Sequence, residues 1–100
     1  MVNVFFLSKI KHGMEQEYEK WVKEVDYPTV DKYLKSVRSY TVVRVREESK
    51  KNSPWNYIEC VDLTSKEDYD KDRMKPEFKR LITEGSKYIE SDVGIYADPV

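Results

Sequence analysis

Cysteine occurs once in this 100-residue chain, and so does histidine. Standing alone, Cys60 can neither close an intrachain disulfide nor build a thiolate metal site, and a reducing cytoplasm is the expected compartment. Cys60 and His12 lie far apart and offer no familiar ligand spacing, so no metal is expected. Glycine is scarce as well. With only three in the chain, there is neither a phosphate-cradling loop nor a dinucleotide fingerprint, and no cofactor is expected. Charge of one sign is missing too: 18 basic against 19 acidic residues leave a formal net charge of −1. Bulk electrostatics therefore will not recruit nucleic acid or an anionic membrane. No apolar run approaches the ~20 residues a membrane helix needs. The opening stretch, Met1 to Leu7, lacks the positive charge and small-residue cleavage site of a secretion signal.

What is present suits a folded core. Apolar residues make up 39% and aromatics 13% of the chain, enough for one domain over residues 1–100. Val2 to Ile10 reads as a strand, closed by a turn at Lys11-His12-Gly13. From Met14 the period changes. Met14, Tyr18, Trp21, Val22 and Val25 share one helical face, with charged residues on the rest. Pro28 lacks a backbone donor and biases Tyr27 away from the α region, which predicts a helix end near Asp26 or Tyr27. A carboxylate at a helix C-terminus opposes the dipole, which hints at a task for Asp26 besides capping. Residues 31–36 read as a polar connection, Val37 to Val45 as an alternating strand, Arg46 to Pro54 as a solvated loop, and Trp55 to Leu63 as a third strand. Thr64-Ser65-Lys66-Glu67 has the form of a capping box opening a short helix through about Asp72. Pro76 then opens a second main helix with an apolar stripe of Phe78, Leu81, Ile82, Tyr88 and Ile89, in which Gly85 is a weak point. Val93 to Ala97 reads as a last short strand.

Strand, helix, strand, strand, helix, strand is the ferredoxin-like βαββαβ pattern of the α+β class, a four-stranded antiparallel sheet with both helices on one face. The other face is expected to carry several of Phe5, Leu7, Tyr40, Val42, Trp55, Tyr57, Val61 and Tyr96, more apolar surface than a soluble monomer shows to water. A second copy packed sheet to sheet would cover it, making a homodimer whose facing sheets enclose a polar and aromatic chamber.

Several segments together resemble a known family: Val4 to Gly13, Trp21-Val22 through Asp26-Tyr27-Pro28-Thr29-Val30, Ser36-Val37, Tyr57-Ile58-Glu59-Cys60-Val61 and Pro76-Glu77-Phe78. They look like the RedY/HapK group of the dimeric α/β-barrel superfamily, and the likeness spans nearly the whole chain. The resemblance implies a homodimeric barrel and a role in bacterial biosynthesis of pyrrole- or indole-derived natural products. Superfamily relatives include cofactor-independent monooxygenases, cyclases and decarboxylases. His12, where relatives often have Pro, and Cys60, where an aliphatic residue is common, depart from the pattern.

Glu59 is the first candidate for chemistry, because a carboxylate between Ile58 and Cys60 is costly unless it points into a wet or paired site. A salt bridge to Arg38 or Arg44 on the neighbouring strand is the alternative, and Arg38 could then orient a substrate. Asp26 and Tyr27 could supply a base and a hydrogen-bond donor, or they could cap and pack. His12, the single histidine, is of the residue type suited to proton transfer near neutrality, although a turn histidine is commonly just solvated. Tyr40, Trp55, Tyr57 and Tyr96 form a candidate aromatic wall for a conjugated substrate, with core or interface packing as the plain alternative. Cys60 reads as a small buried hydrophobe. The leading expectation is a cofactor-free acid–base enzyme that hydrates, cyclises or decarboxylates a small aromatic intermediate. A non-catalytic carrier of such a molecule, or a cofactor-free monooxygenase, is the alternative.

Overall fold

A computed structural model describes residues 2–100. Strand β1 (Val2–Ile10) leads through the turn at Gly13, whose φ of 85° suits a residue without a side chain, into α1 (Glu15–Trp21). Here the structure departs from the expectation. The helix does not stop at Pro28: a π-helical segment, Val22–Asp26, carries it directly into α2 (Tyr27–Tyr33). Its wider turn shows in the Tyr27 amide, which donates to the Val22 carbonyl five residues back. Pro28 falls in the first turn of α2, where a missing N–H costs little. Asp26 is thus not at a helix exit. The π turn rotates it inward, and it is buried at 4% exposure.

The stretch taken for a polar connection contains the end of α2 and two buried residues, Leu34 and Ser36. Strand β2 (Val37–Arg44) follows, then a loop with one helical turn, α3 (Glu47–Lys50), and β3 (Tyr57–Leu63). Helix α4 (Lys66–Asp72) is capped one residue later than the capping box predicts, with the Ser65 hydroxyl accepting from the Asp68 amide at 3.0 Å. Helix α5 (Pro76–Gly85) ends before Tyr88 and Ile89, and Ile82 is 59% exposed, so the apolar stripe is shorter than expected. The last strand, β4 (Ile89–Ala97), is longer than expected.

The sheet is antiparallel in the order β2-β3-β1-β4, with the helices on one face, which is the ferredoxin-like arrangement. Register decides the faces. Val4 pairs with Val61 and Tyr96, Phe6 with Glu59 and Gly94, and Val42 with Glu59. Because Val4 and Val61 are buried in the core, strand alternation puts Phe6, Tyr40, Val42, Tyr57, Glu59 and Tyr96 on the helix-covered side. Of the residues expected on the open face, only Phe5 and Leu7 are there. They are joined by Val43, Ile58, Cys60, Val93 and Ile95, while Trp55 lies in the loop before β3.

Helices and sheet are fastened by an aromatic cluster. Tyr18 meets Tyr57 edge-on at 5.0 Å and lies 6.3 Å from Trp21, whose indole N–H donates to Glu84 on α5 at 2.9 Å. Gly85 is more than a weak point in α5, since a Cβ there would sit 3.2 Å from the Trp21 ring. Among the described residues no helix is long and apolar enough to cross a membrane.

Candidate active site

Between sheet and helices lies a cavity of about 460 Å³. It is enclosed within one chain, whereas the sequence placed the chamber between two facing sheets. Its floor is built by Asp26 from the π segment, Tyr40 from β2 and Glu59 from β3. Aromatic and apolar walls come from Phe6, Trp21, Tyr69, Phe78 and Leu81, and the exposed residues Ile82, Ser86, Ser91 and Asp92 mark the mouth between α5 and β4.

The floor is a hydrogen-bonded chain. The Tyr40 phenol oxygen lies 2.5 Å from Asp26 Oδ2 and 2.5 Å from Glu59 Oε1. A phenol has one proton and can donate to only one of two carboxyl groups. The other carboxyl must therefore carry a proton of its own and donate to the phenol oxygen. The electrostatics assign it to Glu59. Burial lifts the Glu59 carboxyl from 4.5 to about 7, with the charges of Asp26 and Asp92 adding to the rise and the Tyr40 hydrogen bond opposing it. Burial also raises Asp26, from 3.8 to about 6, against the same opposing bond. Near neutrality the chain thus runs from neutral Glu59, donating to Tyr40, to Tyr40, donating to anionic Asp26. Burial holds the Tyr40 phenol well above its ordinary range, so it keeps its proton throughout.

The remaining sequence candidates fall elsewhere. Tyr27 does not line the cavity. Its hydroxyl accepts from the Val42 amide at 2.8 Å, and its ring meets Tyr40 edge-on at 5.4 Å, so it holds the β2 edge and steadies Tyr40. Tyr57 is buried, donates to Glu19 at 2.5 Å and does not line the cavity. Arg44 grips the same Glu19 through two hydrogen bonds, which pulls that carboxyl down to about 2. It is therefore not a partner of Glu59. Arg38 and His12 are exposed and outside the lining. Trp55 is also outside it, and Tyr96, 38% exposed, lies beneath the Lys66 ammonium. Cys60 is on the open face, its thiol pushed up by burial.

Several lining residues were not singled out from sequence: Trp21, Tyr69, Phe78, Arg73 and Asp92. Trp21 and Phe78 were legible only as core positions in helical stripes, Tyr69 not at all in a helix that reads as polar, and the cavity is a place where that core does not close. For Arg73 and Asp92 no local signal exists, since an exposed charge beside a cavity mouth reads like any other surface charge.

Comparison with known structures places this geometry in context. HapK from Hahella chejuensis superposes with a TM-score of 0.87 at 24% identity, over 100% of this chain and 93% of that one. The Arabidopsis thaliana protein At3g17210 gives a TM-score of 0.84 at 15% identity, over 100% and 96%. A dabb family protein with a ferredoxin-like fold from Mesorhizobium loti gives 0.73 at 13% identity, over 99% and 96%. These likenesses establish the fold. No curated protein matches the chain. The family described as REDY-like protein HapK matches residues 2–100, and the chain belongs to that family.

Proposed function

We propose that this protein is a cofactor-free acid–base enzyme of the bacterial cytoplasm, acting on a small aromatic intermediate of pyrrole- or indole-derived natural-product biosynthesis. The reaction is a proton-transfer step of the hydration or cyclisation type. The observation that carries this reading is the Glu59–Tyr40–Asp26 chain on the floor of an aromatic cavity. A carboxyl poised near neutrality is suited to both halves of such a step, giving a proton and then taking one back.

In this mechanism neutral Glu59 delivers its proton to an electron-rich ring carbon or a carbonyl oxygen of the substrate. The substrate becomes cationic or electrophilic, and water or an internal nucleophile can add to it. Glu59 is left as a carboxylate. The Tyr40 hydroxyl, in reach of both carboxyl groups, turns its O–H from Asp26 to steady the new anion. Loss of a proton from the adduct to Glu59 returns the site to its starting state. Asp26 and Asp92 stabilise positive charge on the substrate between the two transfers.

The open sheet face supports a homodimer. Val43, Val93 and Ile95 are 40%, 42% and 46% exposed there, beside Phe5, Leu7 and Ile58. That is a contiguous apolar surface suited to a second copy.

Exchange of the indole C3 hydrogen with D₂O, followed by proton NMR with no cofactor added, tests the reading. It requires protonation and deprotonation of an electron-rich carbon and nothing else. The protein should accelerate exchange over buffer, and Glu59→Gln should remove about 10²- to 10⁴-fold of that acceleration. A rate equal to buffer, or an undiminished rate in the variant, refutes it.

A further inference from the structure

The ionisable groups that the cavity offers a ligand are biased toward carboxyls. Asp26 Oδ1 and Glu59 Oε2 make no hydrogen bond within the described residues, since Tyr40 engages only the other oxygen of each carboxyl. Asp92 and Glu90 add two more carboxyl groups to the lining, Glu90 paired with Lys9 at 3.0 Å. Donors are few. The Trp21 indole N–H is spent on Glu84, and among the described residues Arg73 is the one cation in the lining, its guanidinium 5.7 Å from the centres of both the Tyr69 and Phe78 rings. Phe6, Trp21 and Phe78 line the same cavity. Carboxylates at one end and aromatic walls along the sides attract positive charge through both hydrogen bonding and ring quadrupoles.

We propose that the cavity recognises a flat heteroaromatic ligand that presents N–H donors or a positive charge, of the amidine or protonated N-heterocycle class, with that edge toward Asp26 and Glu59. An anionic ligand is disfavoured. This deepens the acid–base reading and uses the same site, but it concerns binding alone. It also has a thermodynamic signature. The groups facing Glu59 are Tyr40, Asp26 and Asp92, with Arg73, Tyr18, Tyr69 and Glu90 elsewhere in the lining. A cation bound among them stabilises the Glu59 carboxylate, so binding near neutrality expels a proton.

Three isosteres separate the cases: 2-naphthamidine, 2-naphthamide and 2-naphthoate, titrated by calorimetry near pH 7 in two buffers of different ionisation enthalpy. Naphthamidine should bind about tenfold or more tightly than naphthoate, the ratio that one modest charge-assisted hydrogen bond supports. Its binding should release a proton, and Glu59→Gln should abolish that release. Arg73→Leu should leave naphthamidine affinity unchanged or improved. The proposal is overturned if naphthoate binds as tightly as naphthamidine, if Arg73→Leu weakens the amidine, or if none of the three saturates the site. Because no turnover is measured, an amidine preference without catalysed indole exchange would sink the enzymatic reading and leave this one standing.

Discussion

Replacing Glu59 with glutamine should change the way stability depends on pH more than it changes stability itself. In the folded protein the Glu59 carboxyl is raised from 4.5 to about 7, so the native state holds this proton more tightly than the unfolded chain does. The native state is therefore favoured at low pH. That contribution is complete below about pH 4.5 and is lost as pH rises through about 7. A rise of this size corresponds to ~3 kcal/mol at full burial, and to about 2 kcal/mol once the surface Glu59 keeps toward the cavity is allowed for. Glutamine donates an N–H where neutral Glu59 donates an O–H, and it does not ionise. Urea denaturation at pH 5 should find the two proteins close. At pH 8 the variant should be the more stable by about 2 kcal/mol, a midpoint difference on the order of 1 M urea. Asp26, the other buried acid, is present in both proteins and cancels to first order, as do the surface groups. If the two midpoints keep a constant separation from pH 5 to pH 8, Glu59 ionises like a surface carboxyl and the poised acid does not exist.

Other outcomes follow from the same geometry. Tyr40→Phe removes the hydrogen bond that lowers both Asp26 and Glu59, so carboxyl titrations followed by ¹³C NMR should move upward in pH for both groups. A downward move contradicts the hydrogen-bonded chain. Gly94→Ala would put a Cβ 2.9 Å from the Phe6 ring. That ring, which lines the cavity, must shift, costing about 1–3 kcal/mol in stability and weakening naphthamidine binding, both readable by thermal melts with and without the ligand. Ile95→Lys places a charge on the open sheet face, and light scattering should show a homodimer of the wild type reduced to monomer. An unchanged mass removes that face from the interface.

Much of the fold was legible because it is written in local periods. The Val-, Phe- and Ile-rich run of β1, the alternation in β2, and the spacing of Tyr18, Trp21, Val22 and Val25 follow directly from which positions must face the core. The site was legible in part. Glu59 stood out because a mid-strand carboxylate is expensive, and Asp26 because its charge conflicted with the supposed end of a helix. The second argument reached the right residue through the wrong geometry. Pro28 reads as a helix stop, but a π turn just before it places the proline where no amide is needed, and only the packed structure shows that turn. Tyr57 and Tyr40 look alike as strand aromatics. One is tied to Glu19 and the other bridges two acids, a difference set by which residue lies across the interface.

By itself, the sequence determined the order of elements, the family and the presence of unusually placed acids, because each depends on residue type and short-range spacing. Tertiary structure alone decided where the cavity is and which groups share a proton. Strand register, including the irregularity between Val37 and Ser39, chose the face on which Tyr40 and Glu59 stand. Packing of the π segment against that face then brought Asp26 within 2.5 Å of the same phenol. Asp26 and Glu59 lie 33 positions apart in the chain. Their common proton arises from the distance between side chains after folding, which no local pattern encodes.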